Sequence, residues 1–143
     1  MERLTPWQSY RQVATSTATP GQLVLMLYDG AIRFLEQART GFEKDDPVEF
    51  NQTVSNNILR AQAIINEMNN SLDMEAGGKL SETLRGLYNY FDRRLQESNQ
   101  RKEEKGIKEV LLRLGVLRDA WAQMLRQSGP EPAQPSQSLA ALG

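Results

Sequence analysis

The sequence predicts an all-α fold, a bundle of four helices with a short N-terminal arm and a flexible, disordered C-terminal tail. Three observations lead there. Apolar residues recur three and four positions apart through four long segments, the spacing that lines up one face of a helix. A capping residue followed by proline stands at Thr19-Pro20 and again at Asp46-Pro47, and glycine-rich or charged breaks separate the segments. The expected organisation is an arm over residues 1–18, a helical domain over 19–127 and a tail over 128–143.

The arm carries Trp7, Tyr10 and Val13 in a Ser/Thr-rich setting. Their spacing of three places them on one side of a short helix, although the residues between them are indifferent helix formers. Two readings stand side by side: an arm that docks by its aromatics, and a frayed terminus.

The first helix is expected to run from Thr19 to Phe42. Thr19 and Gln22 are spaced to satisfy each other's backbone N–H groups, with Pro20 at the first helical position. Leu23, Leu27, Phe34 and Ala38 form one apolar stripe, with Gly30 and Gly41 leaving room for a neighbouring backbone. Leu25, Tyr28 and Ile32, with Leu35 at the edge, form a second stripe on the opposite side. A helix apolar on both sides does not lie bare in water. Each large apolar side chain left exposed forfeits roughly 1.5–3 kcal/mol.

Asp46, Pro47 and Glu49 open a second helix reaching about Asn70. Phe50, Val54, Ile58, Ala61, Ile65, Met68 and Leu72 keep the period of its seam, Leu59 points nearly opposite, and Ile64 sits at the border. Residues 71–79, with Gly77-Gly78, turn the chain into a third helix from Leu80. Its seam is Leu80, Leu84, Leu87, Phe91 and Leu95, flanked by Tyr88 and Tyr90, whose rings suit either a half-wet edge or the wall of a groove. Asn99 to Gly106 is a charged break. The fourth helix reaches about Gln127, with Ile107, Val110, Leu111, Leu114, Leu117, Trp121 and Leu125 as its seam and Leu112 and Val116 stacked on the far face. The tail from Gly129 is rich in Pro, Gln and Ser and reads as flexible. No internal repeat of fixed period stands out.

Composition narrows the chemistry. The 143 residues suit one domain, and no apolar run is long enough to span a bilayer. Met1 to Gln12 lacks the apolar core of a signal peptide, so the chain is expected to be soluble and not exported by that route. It contains neither cysteine nor histidine, which removes disulfides, thiolate sites, Ser-His-Asp triads and the Glu-x-x-His pattern of di-iron bundles. Seventeen basic and eighteen acidic residues leave no overall field to draw nucleic acid or anionic membrane. Gly77-Gly78 lacks the strand and spacing of a phosphate loop. Acidic pairs such as Asp45-Asp46 and Glu103-Glu104 sit where capping and solubility explain them rather than metal binding. The basic residues Arg93, Arg94, Arg101, Lys102 and Lys105 are balanced by Glu97, Glu103 and Glu104. No cofactor, metal or catalytic residue is expected, and function is expected to lie in shape and apolar contact.

The two-sided patterning of helices one, two and four therefore bears the functional weight. It admits a groove for an amphipathic segment of another protein, an imperfectly amphipathic bundle, or a homodimer interface. Under the groove reading, Leu25, Tyr28, Ile32, Leu59, Ile64, Tyr88, Leu112 and Val116 contribute contacts, and Trp7 and Tyr10 form the arm.

These residues resemble the FliS family of flagellin-specific export chaperones. The resemblance runs through Tyr10 with Gln12-Val13, Thr19-Pro20 with Gln22-Leu23, and Leu27-Tyr28-Asp29-Gly30-Ala31. It continues through Ala61-Gln62 with Ile64-Ile65, Leu72-Asp73-Met74-Glu75 with Gly77-Gly78, Leu87-Tyr88 with Tyr90, Arg93-Arg94-Leu95 with Asn99, and Asp119-Ala120-Trp121. Each is weak alone; in the family's order over Tyr10 to Leu125 they are specific. Ser98-Asn99 stands where the family often has Ala-Asn, and the tail has no counterpart. The resemblance implies an antiparallel four-helix bundle in the cytoplasm that holds the disordered C-terminal segment of flagellin. It also implies that such a chaperone prevents premature polymerisation and helps deliver its client to the type III export gate. The arm, here Trp7 and Tyr10, would cover part of that surface without a client. A helical adaptor for another secretion client or regulator is the alternative, and a helical enzyme using carboxylates or bound metal the more distant one.

Overall fold

The computed structural model describes residues 18–128, which form four α-helices: α1 (Pro20–Gly41), α2 (Pro47–Asn70), α3 (Gly78–Arg101) and α4 (Lys105–Ser128). The expected arm, with Trp7 and Tyr10, and the tail from Gly129 lie outside the described residues.

Local chemistry sets the helix ends. Thr19 caps α1 with a reciprocal pair: the Gln22 N–H donates to Thr19 Oγ1 and the Thr19 N–H to Gln22 Oε1, each at 3.1 Å. Asp46 caps α2 by accepting the Val48 N–H at 2.8 Å, with Pro47 at the first position. No side chain caps α3. Asp73 instead organises the preceding turn, its carboxylate accepting the N–H groups of Glu75 and Ala76 while its carbonyl accepts from the Gly77 N–H and the Ser81 hydroxyl. Gly78 enters α3 at φ +52°, a conformation that favours glycine. The expected start at Leu80 thus moves back to Gly78.

The break expected over Asn99–Gly106 shrinks to residues 102–104. Lys102 turns the chain there in the left-handed region, at φ 53°. Its backbone N–H donates to the Ser98 carbonyl, and its ammonium donates to the carbonyl and side-chain oxygens of Asn99 at 2.8 and 2.6 Å. A non-glycine residue is held in this conformation by a local hydrogen-bond set.

Helices of this length span about 36 Å at 1.5 Å per residue, so the short connections force chain neighbours to run antiparallel. Cross-helix pairs fix the register. Between α1 and α2, Phe42 meets Phe50 edge to face at 5.2 Å. Between α2 and α3, Asn99 donates to Ser55, Gln62 to Asp92, and Arg85 to Asn69. Between α3 and α4, Arg94 donates to Glu109. The ring of helices closes between α4 and α1, where Arg118 Nε donates to Asp29 at 2.8 Å and the Trp121 indole N–H to the Gly21 carbonyl at 2.8 Å. The result is an antiparallel four-helix bundle.

Its centre is filled by Leu27, Leu35, Ile58, Ile64, Ile65, Phe91, Leu95, Ile107 and Leu114, all inaccessible to solvent. Gly41 lets α1 approach α2 closely, since a Cβ there would stand 2.8 Å from Val54 Cγ2 and 3.0 Å from the Val54 nitrogen. Most expected seam residues line this interior. Leu80 does not: near the start of α3 it is 59% exposed.

Candidate partner-binding groove

The bundle leaves two large aliphatic side chains standing in solvent one turn apart on α4: Leu112, 71% exposed, and Val116, 63% exposed. Both descend from the same fact of sequence, an i, i+4 apolar pair set opposite the helix's core face. They border a groove of about 410 Å³ between α3 and α4. Phe91 is its buried floor, the half-buried Leu87 and Leu117 its walls, and Glu109 and Arg113 its polar rim.

The rim is a network. Glu109 accepts from the Tyr90 hydroxyl at 2.6 Å, from Arg94 Nε at 2.9 Å and from Arg113 Nε at 3.3 Å. Arg94 also reaches Glu97, and the Arg93 guanidinium lies 5.6 Å from the Tyr90 ring centre. The Tyr90 hydrogen bond, followed by that of Arg94, holds the Glu109 carboxyl below its ordinary pKa, and the same bond to Glu109 pushes the Tyr90 phenol up. These contacts pin α3 to α4 beside the apolar opening and fix the groove's width.

Other expected contact residues fall in different places. Leu59 is 53% exposed on the outer face of α2, away from this groove's lining. Leu25 and Ile32 are half-buried, and Ile32 packs on the core. Tyr28, Ile64 and Tyr88 are corrected from groove to interior, at 4%, 0% and 3% exposure. Ile64 is drawn in because it borders a seam that packs against two neighbouring helices rather than one. Tyr28 and Tyr88 are drawn in because each supplies the other's hydrogen bond, their hydroxyls lying 2.6 Å apart. Burial, the largest cause, pushes both phenols above the usual tyrosine range.

Leu87, Phe91 and Leu117 were expected in the seam and turn out also to line the opening. Glu109 and Arg113 were not singled out at all. Their signal is present, a Glu-to-Arg pair four apart running beside the Leu112–Val116 pair. Among the described residues no group of His, Cys, Asp and Glu is placed to hold a metal ion, and no helix is long and apolar enough to cross a membrane.

An all-helical bundle with an exposed apolar opening is shared by many binding proteins, and comparison with known proteins separates them. The family described as "Flagellar protein FliS" matches residues 3–128. The chain belongs to the FliS family. It is 36% identical over 121 residues to the flagellar secretion chaperone FliS of Bacillus subtilis (strain 168), covering 85% of this chain and 86% of that protein. Similarity to the Salmonella typhimurium flagellar secretion chaperone FliS is 36% over 121 residues, 82% of this chain and 87% of the other. The Escherichia coli (strain K12) flagellar secretion chaperone FliS is 31% identical over 122 residues, 82% and 88% of the two chains. FliS-family membership makes this bundle a flagellar secretion chaperone and implies a protein partner in the flagellar export pathway.

Proposed function

We propose that this chain binds the otherwise disordered C-terminal segment of flagellin in the cytoplasm, prevents its premature polymerisation and assists its delivery to the flagellar type III export gate. The observation that carries this reading is the Leu112–Val116 ridge over the Leu87, Phe91 and Leu117 groove in a member of a secretion-chaperone family. Burial of that ridge by a partner recovers roughly 1.5–3 kcal/mol per large side chain, and the groove already presents its floor without rearranging the core. The work is that of a scaffold: apolar client surface is covered, no bond is made or broken, and no cofactor is required. Leu25, Ile32 and Leu59, with Trp7 and Tyr10 of the arm, are proposed as further contacts around the bundle.

The test is calorimetric titration of the chain with a synthetic peptide of the cognate flagellin's C-terminal segment, alongside Leu112→Asp and Val116→Asp. Binding with a negative heat-capacity change, weakened in both variants while circular dichroism shows them folded, supports client and groove together. A folded wild type that ignores the peptide would transfer the reading to a helical adaptor for another client.

A further inference from the structure

The groove's apolar lining says that a partner binds; its rim says what charge that partner carries. Glu109 is the acidic side chain in the lining, and it is spent internally, with one oxygen taking Arg94 and the other taking Tyr90 and Arg113. Arg113 is engaged only through Nε. Both of its terminal Nη amines lack a hydrogen-bond partner among the described residues, and its side chain is 54% exposed. A guanidinium so placed has two parallel donors to offer, the geometry that meets a carboxylate in bidentate fashion. Arg113 directly follows Leu112 and lies three residues before Val116, so a carboxylate held there sits beside the apolar seat.

The stretch of α3 and α4 that frames the groove has the same sign. Seven basic and four acidic side chains lie between Arg93 and Arg113, in a chain whose overall charge is −1. Two of them, Lys105 and Lys108, are exposed on the turns of α4 that precede Leu112, Lys108 pairing with Glu104 at 3.4 Å. At the same end of the bundle the turn from α1 into α2, with Glu43, Asp45, Asp46 and Glu49, offsets this excess, so discrimination falls to the Arg113 fork itself.

We propose that Arg113 is a specificity-determining residue of the groove, and that the occupant is an amphipathic segment seating apolar side chains on Leu112 and Val116 and presenting an Asp or Glu about one turn away to the Arg113 fork. The proposal rests on the partner-binding reading of the groove, not on the partner's being flagellin.

The test uses the full chain and two synthetic amphipathic peptides with identical apolar anchors, one carrying Glu and the other Lys beside them, with the cognate flagellin segment titrated in parallel. The Glu peptide is expected to bind roughly tenfold tighter than the Lys peptide at low salt, a charge-assisted preference that narrows as salt is raised. Arg113→Gln is expected to abolish the difference while circular dichroism stays unchanged. Equal binding of the two peptides to wild type overturns the proposal, as does a preference that survives in Arg113→Gln or an absence of binding by both. Sedimentation showing a dimer that Val116→Asp dissolves would give the groove to a second copy and overturn it as well. Should the flagellin segment fail while the Glu peptide binds, the client assignment falls and the role of Arg113 stands.

Discussion

The hydroxyls of Tyr28 on α1 and Tyr88 on α3 meet at 2.6 Å across the diagonal of the bundle, where either can donate to the other. Two polar atoms are thereby buried without an unmet demand, and two helices that are not packing neighbours are tied together.

Removing one hydroxyl leaves the other buried and alone. Tyr28→Phe and Tyr88→Phe are each expected to cost about 1–3 kcal/mol in urea denaturation, while the double variant costs clearly less than the sum of the two. Additive losses would mean that the pair is not coupled.

The same pair makes alkaline stability fall. Burial raises both phenols above the ordinary value of 10.0. The unfolded chain therefore releases these protons first, so their contribution is whole below pH 10 and declines as pH rises above it. A denaturation series from pH 8 to 11 should show this decline, reduced in the double Phe variant. Glu109 has the opposite sign: its carboxyl is held below the ordinary 4.5, so its contribution is present above that value and is lost as pH falls through the lowered one.

Core and ridge are separable by substitution. Ile64→Ala is expected to destabilise by about 2–5 kcal/mol, since it empties a fully buried position. Leu112→Ala should change stability by no more than about 0.5 kcal/mol and act on partner binding instead. Thermal melts of the two variants decide it. A large loss on Leu112→Ala would place that residue in the fold rather than on a free surface.

Glycines are expected to divide in the same way. Gly41→Ala drives a methyl against Val54 and should cost about 1–3 kcal/mol. At Gly86 and Gly115 nothing stands within 4 Å of an added Cβ, so alanine there should raise stability by about 0.4–1 kcal/mol through better helix propensity and a less free unfolded chain. Melting temperatures moving in opposite directions would confirm the assignment of close and open helix faces.

The capping pair of α1 offers a smaller effect. Thr19→Ala removes the acceptor of the Gln22 N–H and should cost about 1 kcal/mol, seen as earlier hydrogen exchange at the start of α1.

Thr19-Pro20 and Asp46-Pro47 were legible as helix starts because a cap is a contact among residues two or three apart, and such contacts depend on sequence alone. For the same reason the four helices, their seams and the outward placement of Leu112 and Val116 followed from the 3.6-residue period. What the period does not contain is the identity of the neighbouring helix. Tyr28 and Tyr88 lie sixty residues apart, and only their meeting across the bundle turned two apparent groove residues into an interior pair. Leu80 fits the seam by period but sits at a helix end where no other helix covers it. Glu109 and Arg113 look like an ordinary ion pair along one helix until Tyr90 and Arg94 of α3 consume the carboxylate and leave the guanidinium's outer donors to the groove. Sequence by itself thus determined the elements, the capped starts of α1 and α2 and the exposed ridge, all written in local spacing, while the resemblance carried by its motifs pointed to the family. Tertiary structure decided which polar groups are spent and which are available, because that depends on partners brought together only by folding.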